Sequence, residues 1–165
     1  MTSPTTRLRA LLDRVAETPG CTVHRPEGLP SVEAEEVVPA DLRAFYEACG
    51  GMDLFVDATY PMRIVPPREL VLANPVIVGE RCADDISCHW YVVARGGREE
   101  MITIDCSPPR LGRCHDSFWD RHGVAGSCAI VALSFTELLE RLLEQQGGYW
   151  YWLADGAPAH GDAYG

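Results

Sequence analysis

Apolar residues recur at helical spacing in three stretches of the chain. Leu8, Leu11, Leu12 and Val15 stand at i, i+3, i+4 and i+7, one face of an amphipathic helix. Ser3-Pro4 supplies a cap and a first-turn proline, and Thr18-Pro19-Gly20 stops the run. A second helix opens at Pro39, with Leu42, Phe45, Tyr46 and Cys49 on one face and Gly50-Gly51 behind it. The third carries Phe135, Leu138, Leu139, Leu142 and Leu143 after a Ser134/Glu137 capping box, and Gly147 closes it.

Between the second and third helices the pattern reads as strands. Tyr60 to Val65 precedes a proline pair, and Arg68 to Ala73 suits a short helix before Pro75. His89 to Ala94 is rich in aromatic and β-branched residues. Arg95-Gly96-Gly97-Arg98 separates it from Met101-Ile102-Thr103-Ile104, so the two runs predict a β-hairpin. Gly112 to Asp116 adds a strand before a loop with Phe118 and Trp119. Helix, helix, meandering strands and helix predict an α+β fold, not βαβ: one mostly antiparallel sheet packed against helices. A single domain is expected over residues 1–153. Residues 154–165 are small, polar and turn-prone, and are expected to form a flexible tail.

Charge narrows the partners. The 165 residues carry 24 acidic and 14 basic side chains, every basic one Arg, for a formal net charge of -10. Such a surface repels phosphate backbones and anionic lipid. Nucleic acid and membranes are therefore excluded as expected partners, and a basic protein is favoured. The N-terminal stretch has Arg7, Arg9, Asp13 and Arg14 among its apolar residues, which breaks any signal-peptide core, and no apolar run reaches membrane-spanning length. A soluble, cytoplasmic protein is expected.

The seven cysteines are irregularly spaced, lack the C-x2-C spacing of zinc sites, and read as free thiols that fill the core. Cys114-His115-Asp116 are consecutive, whereas catalytic triads are assembled from residues apart in sequence. No nucleophile elbow, P-loop or dinucleotide fingerprint occurs. No catalytic residue, metal ligand or cofactor is assigned. The acidic pairs Asp84-Asp85 and Glu99-Glu100 flank the hairpin and are expected to converge beside its exposed edge, steering a cationic partner; Asp116 and Asp120 are further candidate partner-binding acids. Trp90, Tyr91 and Phe118 read as packing residues. Trp119 reads as an interface anchor, and Tyr149 to Trp152, four aromatics in a row, cannot all point inward.

The segment Val38-Pro39-Ala40-Asp41-Leu42-Arg43-Ala44-Phe45-Tyr46-Glu47-Ala48-Cys49-Gly50-Gly51 resembles the opening signature of the SMI1/KNR4 (SUKH) superfamily, with Gly50-Gly51 where many members have Asn-Gly. Ile64 to Leu70, the hairpin from His89 to Asp105, and Leu133 to Leu139 are similar to later elements of that family. Ile102 to Asp105 and Arg110 to Asp120 look like its actinobacterial branch. The resemblance covers about residues 30–153. It implies an α+β fold, no catalytic residues, and a role as an immunity protein that neutralises a polymorphic toxin, often a nuclease. The alternative it leaves is a regulatory or scaffold protein of the same fold without a toxin, and an enzyme comes third.

Overall fold

The computed structural model describes residues 3–154 and 160–165. Its centre is one antiparallel sheet of seven strands: β1 (Thr22–Val23), β2 (Met52–Leu54), β3 (Met62–Ile64), β4 (Trp90–Gly96), β5 (Met101–Asp105), β6 (Cys114–Asp116) and β7 (Ile130–Ala132). Spatial order equals sequence order, so each strand pairs with its neighbours in the chain. The predicted β4–β5 hairpin is present, with Trp90 opposite Asp105 and Arg95 opposite Met101. It lies in the middle of the sheet, so neither of its strands is the exposed edge that the sequence suggested.

Helices α1 (Pro4–Glu17), α2 (Ala40–Ala48) and α4 (Phe135–Gln145) pack on one face of the sheet, and a short α3 (Ala73–Ile77) follows β3. Local chemistry sets their ends. Ser3 accepts from the Thr6 amide at α1, and Ser134 from the Glu137 amide at α4. The Asp41 carboxylate, in the first turn of α2, accepts from both the amide and the hydroxyl of Thr136 at 2.8 Å, which ties α2 to the start of α4. Phe45 and Phe135 pack between these helices with ring centres 4.8 Å apart and planes tilted by 60°. Leu42, Phe45, Phe135, Leu138 and Leu142 are all buried, as their spacing predicts.

The other face is roofed over β4 to β6. Trp90 stacks on His115 at 3.9 Å, meets His122 edge-on, and donates Nε1–H to the buried Asp105 carboxylate at 3.0 Å. Asn74 on α3 donates to the Arg81 carbonyl and to Ser87, which leaves its Oδ1 to accept from His122 Nε2 at 2.6 Å. His122 Nε2 therefore carries a proton and donates it to Asn74. Of the tail expected over residues 154–165, residues 155–159 lie outside the described residues. Residues 160–165 return to the sheet: Ile130 donates to the Gly161 carbonyl, Ala163 to the Cys128 carbonyl, and the Tyr164 hydroxyl to Asp85 at 2.6 Å. Tyr164 finds an apolar neighbour in Trp90, a long-range contact that local sequence does not announce.

Phe45→Ala or Leu138→Ala should cost about 2–5 kcal/mol in denaturant unfolding, as buried large-to-small changes do. Burial, with a smaller contribution from the Arg113 charge, lowers the His115 pKa to about 3, and burial lowers that of His122 to about 4. Unfolded imidazoles titrate near pH ~6.5. The folded chain keeps both neutral, so their contribution is complete above that pH and is lost as pH falls toward 4 and then 3. Unfolding midpoints should drop steadily below pH ~6, and His122→Gln should flatten part of that slope.

Candidate protein-binding interface

A meander of seven strands sends alternate connections to opposite ends of the sheet. The β2–β3 (55–61), β4–β5 (97–100) and β6–β7 (117–129) loops share one end, as the Met62–Gly96 pairing and the Ser117 amide on the Met101 carbonyl require. The chain beyond α4 arrives there too, with the Tyr60 amide donating to the Gly147 carbonyl at 2.9 Å. Gly147 has φ +70°, and a Cβ on it would come within 2.6 Å of Ala58 Cβ, so only glycine lets the two loops meet.

Aromatic side chains gather at this end. Trp150 stacks on Trp152 at 5.5 Å, Tyr60 lies 5.1 Å from Trp150, and Phe118 meets both tryptophans edge-on. Tyr151 points inward, its amide on Gln145 Oε1 and its hydroxyl on the Val131 carbonyl, which fixes the direction of its neighbours. Tyr149 is half exposed, Trp150 and Trp152 are partly covered and Tyr151 is buried, the division that four consecutive aromatics demand. Trp119 is 67 % exposed, a large apolar side chain left in water.

Asp116 is the internal support of this cluster. Its carboxylate is buried, accepts from Trp152 Nε1 at 2.8 Å, and pairs with Arg121 at 2.9 Å. The Arg121 guanidinium in turn lies 5.1 Å above the Phe118 ring. Burial pushes the Asp116 pKa up, against the hydrogen bonds from Trp152 and the Phe118 amide and the charge of Arg121.

The predicted acidic residues divide accordingly. Trp119, Asp120 and Glu99 are exposed at the aromatic end, with Asp57 on the neighbouring loop. Glu100 is half-buried there and accepts from the Arg98 amide at 2.9 Å. Asp84 and Asp85 precede β4, at the opposite end of a seven-residue strand, roughly 20 Å away. The expected convergence of the two acidic pairs does not occur, because β4 runs from one end of the sheet to the other. Asp84 is exposed. Asp85 turns inward to cap the 3-10 turn at Ile86–His89 through Ser87 and to accept from Tyr164. Asp116, also expected at the surface, faces inside. Tyr60 was missed by sequence reasoning: it reads as the start of a strand, and only its pairing with Trp150 brings it to the cluster.

The thiols are free, with Cys49, Cys88, Cys106, Cys114 and Cys128 buried. Among the described residues no three His, Cys, Asp or Glu side chains are grouped to hold a metal ion. No helix among them is long and apolar enough to cross a membrane.

The fold defines the class: an α+β protein built on a single seven-stranded antiparallel sheet. Comparison with known proteins supplies the family. The chain is 47 % identical over 154 residues to the immunity protein YokJ of Bacillus subtilis (strain 168), covering 93 % of each chain, and it belongs to that protein's family. No family model matches the chain. No solved structure matches it.

The support role of Asp116 is directly testable. Asp116→Ala strands Arg121 and leaves Trp152 Nε1–H without its acceptor, and should cost about 3 kcal/mol of unfolding free energy. Its exposed neighbour gives the contrast: Asp120→Asn should stay within about 0.5 kcal/mol of the parent.

Proposed function

We propose that this chain is an immunity protein that binds a toxin one-to-one and neutralises it by occlusion, without catalysis, in the cytoplasm. The observation that carries the reading is the 47 % identity, over nearly the whole of both chains, to a protein named as an immunity protein. The SMI1/KNR4 resemblance of residues 30–153, including its actinobacterial branch, belongs to the same reading. The helix 40–48, strand 62–64, hairpin 90–105 and helix 135–145 stand in the order that the resemblance implies.

The partner we propose is a basic toxin of the polymorphic class, with a nuclease as the favoured chemistry. A net charge of -10 steers a cationic protein toward this surface and suppresses encounters with polyanions. The aromatic end is the proposed contact surface, since Trp119, Tyr149 and Tyr60 offer apolar area beside the acidic Asp57, Glu99 and Asp120. Aromatic anchors inside a charged rim are the usual make-up of a tight interface. Asp84, on the far end, contributes only to the long-range field, and Asp85 and Asp116 hold the fold that presents the surface.

The test is capture of the product of the adjacent reading frame, followed by binding kinetics at two salt concentrations. Trp119→Ala should speed dissociation at a cost of about 2 kcal/mol or more. Glu99→Gln with Asp120→Asn should slow association and weaken its salt dependence. Asp84→Asn should leave dissociation unchanged. Failure to bind or neutralise that product, with salt-independent association to any other protein found, contradicts the reading and favours a regulatory protein of the same fold.

A further inference from the structure

On the sheet face away from the helices, one row of side chains crosses four strands in register: Asp53, Arg63, Arg95 and Met101. Directly opposed residues of antiparallel strands share a face, so Arg63 and Arg95 place two like charges side by side, which destabilises a sheet unless something compensates. Arg63 is compensated. Its Nη2 donates to Glu69 at 3.0 Å, and its Nε lies 4.0 Å from Asp53. The nearby carboxylates are shared out further: Asp53 also meets His24 at 3.0 Å, Glu69 lies 3.9 Å from Arg68, and Glu27 pairs with Arg68.

Arg95 has no such partner. No ion pair or hydrogen bond joins its side chain to any described residue, and its Nε is buried without an acceptor. A buried donor left unmade is costly, more so on a charged group. Acidic groups outnumber basic ones 24 to 14 in this chain, so an uncompensated arginine beside a second arginine is not for want of carboxylates. Arg63 and Arg95 line one cleft of about 140 Å³ together with Asp53, Val56, Pro61, Gly96 and Gly97, and the Asp53 carboxylate there is already engaged by His24 and Arg63. A Cβ on Gly97 would meet nothing within 4 Å, so the mouth is open on that side.

We propose that this cleft is an oxyanion site in which Arg95, with Arg63 beside it, takes a carboxylate or phosphate group. The planar guanidinium presents its Nη donors to either group, and an anion there offsets the like-charge repulsion between Arg63 and Arg95. The cleft is lined by Val56 and Pro61 of the 55–61 loop and by Gly96 and Gly97, so it adjoins the proposed contact surface, but its occupancy by an anion does not depend on the immunity reading. The oxyanion has two possible sources, a free phosphate-type ion or the acidic side chains of a polypeptide.

Isotope-labelled protein titrated with sodium phosphate, and separately with a short polyglutamate peptide, both at constant ionic strength, decides the matter through the Arg95 Nε–H resonance. A saturable shift of that resonance with at least one probe is expected. Arg95→Gln should weaken binding about tenfold or more, the range of a lost charge-assisted hydrogen bond, while Arg14→Gln, on the exposed side of α1, should leave it unchanged. Arg95→Lys, which keeps the charge and loses the fork, should recover only part of the affinity. Tighter phosphate binding assigns the site to free anions, and tighter peptide binding assigns it to an acidic segment. No saturable shift with either probe, or equal affinity in Arg95→Gln, overturns the proposal. The resonance of the unsubstituted protein reads the site even where Arg95→Gln does not fold.

Discussion

Seven strands that pair only with their neighbours in sequence leave each connection no choice of end. The β2–β3, β4–β5 and β6–β7 loops must meet on one side, and the long connections carrying α2, α3 and the 3-10 turn at Ile86–His89 must take the other. Helix α4 then runs back along the sheet and delivers residues 147–153 to the loop side. Residues scattered from Tyr60 to Trp152 become one surface through this constraint alone. The same constraint separates Asp84 and Asp85 from Glu99 and Glu100, which lie close in sequence and far apart in space.

Three buried or half-buried carboxylates fasten the layers that the meander leaves loose. Asp41 joins α2 to α4, Asp105 anchors Trp90 on the opposite face, and Asp116 holds Trp152 and Arg121 at the loop end. Asp105 also accepts from the amide and hydroxyl of Ser107 and pairs with Arg110 at 3.3 Å, so its lone pairs are well used. Each carboxylate is compensated by several donors, the condition under which a buried charge is tolerated. The acidity of the chain thus has two parts. Some acids hold the fold, and the exposed remainder sets the field around it.

Helices were the legible part of the fold. Period and caps place Ser3 to Thr18, Pro39 to Cys49 and Ser134 to Gly147 within a residue or two of α1, α2 and α4. The hairpin was legible from its β-branched runs and its glycine turn. Strands β1, β2 and β7 were not, because two or three residues carry no period and their pairing is decided by partners as distant as Asp53 is from Thr22. The short helix expected from Arg68 to Ala73 is instead a 3-10 turn at Pro67–Glu69, and α3 opens only at Ala73. Of the candidate site, Trp119, Glu99 and Asp120 were readable as exposed loop residues, and they lie at the aromatic end of the sheet. Whether an aspartate faces in or out was not, since burial of Asp85 and Asp116 depends on Tyr164, Trp152 and Arg121, none of them within two residues of the acid it holds.

The central claim is that the aromatic end of the sheet, rather than the acidic surface at large, is where a partner sits. Hydrogen–deuterium exchange on the complex with the captured toxin tests it most directly. Protection on binding should concentrate in residues 55–61, 97–100, 117–121 and 147–153 and leave residues 79–89 unchanged. Protection centred on residues 79–89, with the four loop segments exchanging as in the free protein, would contradict it.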